Sequence, residues 1–469
     1  MTIPEAWCLD GELHPQLVAD FCARTPTYER WLDQVSRTGY CSQPVRLSGW
    51  AGIVDRDSGK VRARYSTLGE PDGCLYKACN QRRASLCPGC SATYQGDAFQ
   101  LLAAGLRGGK GVPESVAAHP ALFVTFTAPS FGPVHARRER HGSVLRCRPR
   151  RDETCPHGRR LDCRVRHGAD DEVLGQPLCP ACFDYERAVI WNARAPELWR
   201  RTTIYLRRAL ARATGMTTTA LRRLVRLSYA KVVEYQRRGL IHVHAVIRLD
   251  GAGEDCEAPP AAFTVELLEH ALRAAAAAVS APAPAADGSA TTLRWGSQLD
   301  VRVIAAPASL SRGAVAGYVA KYATKSTDPL GRLDRRLMSL ADLEGRGVEG
   351  HVKAMAETAW RLGELDELEG LKLRRWAHNL GFGGHWMTKS RRYSTTFGAL
   401  RGARATWAAR ERDGIDDDRG GEHAGQRVGE WQFVGVGFER AGDRLLAASA
   451  AAWAREQRRI AREELAVAA

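Results

Sequence analysis

The chain has 469 residues, is 44% hydrophobic, and carries 68 basic against 53 acidic residues for a net charge of +15. Domains typically hold roughly 100 to 200 residues, so two or three folded units are expected, with a composition that excludes a disordered chain. The basic excess, mostly arginine, favours a polyanionic partner, although a high-GC genome that uses arginine codons freely accounts for it equally well. The most apolar stretch, HALRAAAAAVSAPAPAA, is alanine broken by proline, short of the roughly 20 strongly apolar residues of a membrane span. The N-terminus MTIPEAWCLDGELHP lacks the basic and apolar regions of a secretory signal. A cytoplasmic protein with no membrane partner is expected.

In chain order, residues 1–115 read as an N-terminal module with a short helix, strands around PVRLSGWAGIVD and KVRARYSTL, and a helix at TYQGDAFQLLAAGL. The linker RGGKGVP follows; it lacks P-loop spacing and is assigned no nucleotide site. Residues 116–330 form a second unit that begins with the alternating strand ALFVTFTAPSF. It holds an Arg, Cys and His-rich insertion at about 135–190, then helices at PELWRRTTIYLRRALARATG and TALRRLVRL. A hairpin LSYAKVVEYQ-RRG-LIHVHAVIRLD comes next, then an Ala and Pro-rich excursion around one helix, the strand LDVRVIAA, and the helical SRGAVAGYVAKYATKS. Residues 331–469 read as mainly helical, with one strand, EWQFVGVGFE, before a final helix.

Thirteen cysteines in a reducing compartment point to metal sites or free thiols before disulfides. Two C-x2-C knuckles stand out, Cys87 with Cys90 and Cys179 with Cys182, and tetrahedral zinc needs four N or S ligands. Cys74 and Cys79 lie on an extended segment, roughly 16 Å apart, so the first site is assigned to Cys41, Cys79, Cys87 and Cys90. The second is assigned to Cys155, Cys163, Cys179 and Cys182, with His157 and His167 as the alternative ligands. Both would be closed structural sites; the alternative is a set of buried thiols.

In a strand, His242 and His244 point to one face, roughly 6.6 Å apart along the chain, so two imidazoles can converge on one cation. A hydrogen-bonded histidine ladder is the plainer reading. If the turn RRG is a three-residue loop, Gln236 pairs with Leu240 and Glu234 faces His242; in a two-residue loop Tyr235 does. The first register gives two histidines and a carboxylate, a set compatible with Mg²⁺ or Mn²⁺ holding a phosphate oxygen, with Gln236 as second choice to Glu234. Further on, Tyr318 and Tyr322 share one helical face, and each is followed three residues later by a lysine, Lys321 and Lys325. A core stripe with snorkelling lysines is the plainer reading here too.

Three motifs in order, FVTFTAPSF at 123–131, HVH at 242–244 and YVAKYATK at 318–325, resemble those of the HUH endonucleases. More closely, the chain resembles the rolling-circle replication initiators of actinobacterial plasmids and integrative elements, over most of its length. The resemblance implies an α+β fold: an HUH nuclease domain with a central antiparallel sheet crossed by a tyrosine-bearing helix, plus zinc-stabilised modules and a mainly helical C-terminal region. It implies a metal-dependent, site-specific DNA endonuclease and strand transferase in which Tyr322 attacks one strand at an origin, single-stranded or cruciform, and Tyr318 acts in a second transfer. Lys321 and Lys325 would favour the phenolate, and Arg312, Arg391, Arg392 and Arg401 are candidate phosphate contacts. No helicase motif is present, so unwinding would fall to a host helicase with the host replication machinery. A transposase or relaxase with the same chemistry, a zinc-containing DNA-binding regulator without catalysis, and a metal-dependent hydrolase are the alternatives.

Overall fold

A computed structural model describes residues 8–9, 12–13, 26–55, 58–149, 153–304, 312–325, 330–331, 333–413 and 426–467. The chain divides into two compact units, Met1–Asp97 with Gly398–Ala469, and Ala98–Phe397. Both are α+β with antiparallel pairing. Among the described residues no helix is long and apolar enough to cross a membrane.

The first unit is built on strands β1 (Val45–Val54), β2 (Val61–Ser66), β3 (Leu75–Lys77) and, from the far end of the chain, β9 (Gln426–Val436). Strand β1 is central, pairing with all three others. At Gly49, φ is +146°, and a Cβ there would meet the Glu430 carbonyl oxygen at 2.0 Å, so only glycine lets β9 approach. Helix α1 (Tyr28–Arg37) seals one side through Trp31 and Val35, which pack with Tyr76 and Phe438, and helix α2 (Pro88–Arg107) follows in the chain. This pairing revises the expected organisation. The strand at EWQFVGVGFE forms, but it completes the N-terminal sheet, so residues 331–469 are no separate region and the first boundary falls near 97 rather than 115.

The second unit carries a five-stranded antiparallel sheet of β4 (Ala121–Phe126), β5 (Val225–Tyr235), β6 (Ile241–Gly251), β7 (Leu299–Val303) and β8 (Met387–Lys389), in the order β7-β4-β6-β5-β8. On β6 the odd-numbered Ile241, Val243, Ala245, Ile247 and Leu249 all enter one apolar core with Leu198, Trp199 and Leu206 of α3 (Tyr185–Ala213) and Leu268 and Leu272 of α4 (Val265–Ala278). Asp184 caps α3 by accepting from the Arg187 amide at 3.0 Å, and Thr264 caps α4. The even-numbered His242, His244, Arg248 and Asp250 therefore face the other way, as strand alternation requires.

The loop Arg237–Gly239 closes the β5–β6 hairpin. The Gln236 amide donates to the Leu240 carbonyl at 2.8 Å, and Gly239 takes φ +72°. This is the three-residue loop, and it sets Glu234 opposite His242. Buried Asn192 of α3 holds the turn by donating to the Gly239 and Leu380 carbonyls at 2.8 and 3.1 Å while accepting from the Ile241 amide at 3.2 Å.

Candidate active site

The polar face of β6 carries the candidate site. His244 is buried, with Nε2 3.1 Å from a Glu234 carboxylate oxygen and Nδ1 3.1 Å from the Thr125 hydroxyl on β4. The His242 ring centroid lies 5.8 Å from that of His244, nearly perpendicular to it. Its Nε2 is buried and has no hydrogen-bond partner among the described residues. Burial, aided by His244 and Arg238, pulls His242 down to about 3, so the ring is neutral and offers a lone pair at physiological pH. Gln236, the second choice for a carboxylate partner, is instead engaged by Arg238, whose Nε donates to it at 2.8 Å.

Helix α5 (Arg312–Lys325) supplies the tyrosines. It buries Val315, Ala316, Val319 and Ala320 and leaves Tyr318 45% exposed. The Tyr318 ring packs edge-on against Phe123, 5.6 Å between centroids, and lies 6.2 Å from the His244 ring. Phe123 in turn stacks on His244 at 6.1 Å. Tyr322 follows one turn later on the same helix; the side chains of Lys321, Tyr322 and Lys325 lie outside the described residues. The structure thus brings His242, His244, Glu234 and Tyr318 together.

The donor types on this face are ones a divalent cation takes: an orphaned neutral imidazole nitrogen, a second imidazole whose Nδ1 is engaged by a hydroxyl, and a carboxylate in contact with it. Thr125 is the residue that sequence reasoning passed over. Its signal was available, since it lies in FVTFTAPSF, but the cross-strand pairing of Thr125 with His244 is a register fact.

Three of the four candidate phosphate-binding arginines are engaged within the protein. Arg312 donates to the Leu106 carbonyl at 3.1 Å, and Arg392 pairs with Glu254 at 2.5 Å. Arg401 pairs, together with Arg404, with the buried carboxylate of Asp97, and Arg391 is exposed. A different group collects on the insertion, where Arg138, Arg140, Arg146, Arg148 and Arg166 line a cleft of about 680 Å³.

The family described as RepSA, replication initiator protein of pSAM2, matches residues 27–452. A replication initiator protein of Streptomyces ambofaciens is 43% identical over 466 residues, covering 97% of each chain. The chain belongs to this family of replication initiator proteins. No solved structure matches it.

Among the described residues of this initiator, twelve Cys and His side chains gather into three groups that could each hold a metal ion such as zinc. Cys41, Cys79, Cys87 and Cys90 form the first, with Sγ to Sγ distances of 3.6 Å (Cys79–Cys90) and 3.8 Å (Cys87–Cys41). Tetrahedral zinc with bonds of about 2.3 Å needs thiolates about 3.8 Å apart. The amides of Cys79 and Ser42 donate to Cys41 and Cys87, while Cys74 is part of the apolar core with Trp31 and Val35. The second expected site needs correction. Cys155, Cys179 and Cys182 do gather, but their fourth partner is His157, whose Nδ1 lies 3.2 Å from the Cys182 sulfur. Cys163 joins a separate group with His135, Cys147 and His167, because its backbone pairs with Arg148 and carries its side chain to the Cys147 side.

Proposed function

We propose that this initiator nicks one strand of origin DNA and rejoins it through a 5′-phosphotyrosine, as a rolling-circle initiator of the HUH type. The observation that carries the reading is the convergence of His242, His244 and Glu234 beside an accessible tyrosine that packs against the His244–Phe123 stack. Regulators and structural zinc proteins have no need of that combination.

His242, His244 and Glu234 would hold Mg²⁺ or Mn²⁺, which when bound withdraws charge from a scissile phosphate and makes its phosphorus more electrophilic. Thr125 fixes the His244 ring so that Nε2 faces Glu234. A free phenol, with a pKa of about 10, is a weak nucleophile at neutral pH; Lys321 and Lys325 favour its ionised form. The tyrosine oxygen bonds to phosphorus, the P–O3′ bond breaks, and O3′ takes up a proton to become a primer hydroxyl. The phosphotyrosine retains the energy of the broken bond, so a later 3′ hydroxyl displaces the tyrosine without ATP. The resemblance assigns the first transfer to Tyr322 and the second to Tyr318. Origin DNA, single-stranded or cruciform, is the substrate, on a plasmid or integrative element, and host helicase unwinds it. The arginine-lined cleft on the insertion is better suited to hold the DNA backbone than Arg312, Arg392 and Arg401, which are already engaged.

The test is incubation with Mn²⁺ and a labelled single-stranded origin oligonucleotide, resolved on a denaturing gel beside Tyr322→Phe, Tyr318→Phe and His242→Ala. A protease-sensitive, slower DNA band that needs metal and one tyrosine is expected, and the variant that loses it names the first nucleophile. Free 5′ phosphates without adduct would establish a hydrolase instead. Binding without cleavage across metals and oligonucleotides would leave a non-catalytic regulator.

A further inference from the structure

Between residues 135 and 182 the chain spends eight Cys and His side chains on two tetrads, and their order along the sequence alternates. His135 and Cys147 come first, then Cys155 and His157, then Cys163 and His167, then Cys179 and Cys182. The first and third pairs form one group and the second and fourth the other. The stretch of chain closed by each tetrad therefore contains half of the other.

The surrounding segment has little else to hold it. Among its described residues, regular structure is limited to the short hairpin Arg138–Arg140 with Ser143–Leu145, the single turn Pro180–Cys182 and isolated bridges such as Arg148 with Cys163. The buried cluster there consists of Cys147, Cys163 and Leu178, with Leu161 packed against it. A segment this poor in apolar core ordinarily depends on metals or disulfides, and all eleven cysteines whose side chains are described are free thiols.

The first tetrad has the geometry of a metal site. His167 Nε2 lies 3.4 Å from the Cys163 sulfur and 3.3 Å from His135 Nδ1. Zinc bonds of about 2.0–2.3 Å in a tetrahedron require separations of about 3.3–3.8 Å. The other nitrogen of His167, Nδ1, is 2.6 Å from the Asp171 carboxylate, the outer partner that orients a ligating imidazole. The Ala136 amide donates to the Cys147 sulfur at 3.2 Å, which fixes the orientation of that side chain.

We infer that residues 135–182 are a cross-braced module for two zinc ions, one held by His135, Cys147, Cys163 and His167, the other by Cys155, His157, Cys179 and Cys182. With the Cys41 group, the chain then binds three zinc ions. The module also grips the hairpin that bears the histidine pair. Arg237, in the β5–β6 turn, donates to the Ala169 and Asp171 carbonyls at 2.8 and 2.9 Å. The loop that presents Asp171 to His167 is thus the loop that anchors the turn.

Zinc content and chelator competition on the purified full-length chain test this independently of any nicking. Wild type should contain three zinc ions by elemental analysis and native mass spectrometry. Asp171→Asn, which removes no ligand, should weaken one of the three by roughly 10- to 100-fold and leave the others unchanged. His167→Ala should remove one equivalent and His167→Cys should restore it, with stronger sulfur-to-metal charge-transfer absorption in the cobalt-substituted protein. Two equivalents in wild type, or full zinc content in soluble, folded His167→Ala and Cys163→Ser, would overturn the module.

Discussion

The two faces of strand β6 are made by the same eleven residues and obey different rules. On one face Ile241, Val243, Ala245, Ile247 and Leu249 are packed against α3 and α4. Their identity is interchangeable within limits of volume, because burial is non-directional. On the other face His242 and His244 meet Glu234, Thr125, Phe123 and Tyr318 at defined distances and angles, and there even an isosteric change is expected to remove the proposed chemistry. Further along that face the polar character becomes structural. Fully buried Arg248 and Asp250 pair at 2.6 Å, with His119 and Ser228 completing the carboxylate's partners. A polar residue on the even face is therefore no mark of chemistry by itself; what separates His242 from Asp250 is its company, a second imidazole, the facing Glu234 and the half-exposed Tyr318.

The sharpest separation of the faces comes from His242→Ala and His244→Ala. Each should lower metal-dependent nicking by at least about 100-fold, or roughly 3 kcal/mol of transition-state stabilisation, while thermal melting shows the fold intact. Ile241→Ala should do the reverse. A loss of about 2–5 kcal/mol in chemical denaturation is expected for a large buried aliphatic residue, with nicking per folded molecule nearly unchanged; equal losses of nicking on both faces would dissolve the distinction. Thr125→Val should raise the Mn²⁺ concentration needed for half-maximal nicking by roughly 10- to 100-fold, since the proposed metal-binding His244 loses its outer partner.

The smallest effect tests an exception on the apolar face. Lys231, opposite Ala245, has its ammonium 6.0 Å from the Trp199 ring, and burial lowers it to about 8. In the unfolded chain it titrates near 10.4. Between about pH 8 and 10 the unfolded chain binds the extra proton, so stability should rise with pH across that window and fall as pH drops through 8. Lys231→Met should flatten the slope and raise the melting temperature at pH 7; an unchanged profile would mean that the ammonium is solvated.

Much of this was legible in the residue order. Alternating β-branched and aromatic residues mark β4 and β6, and the H-V-H spacing puts both imidazoles on one face without any knowledge of the fold. The tyrosine helix follows from its four-residue spacing. Loop length alone left two hairpin registers open, and the Gln236–Leu240 closure with Gly239 at positive φ resolved them in favour of Glu234.

Local pattern specifies local structure because its causes, side-chain alternation and backbone sterics, act over a few residues. Partnership between distant segments has no such short-range cause. The entropy of closing a loop grows only slowly with its length, so spacing could not tell Cys163 from His157 as the partner of Cys155, and both lie within reach. Nor could it tell that β9 would cross back to β1 over more than 370 residues of sequence. The residue order determined which side chains were available and which way each strand would turn them; the tertiary structure decided which of them meet.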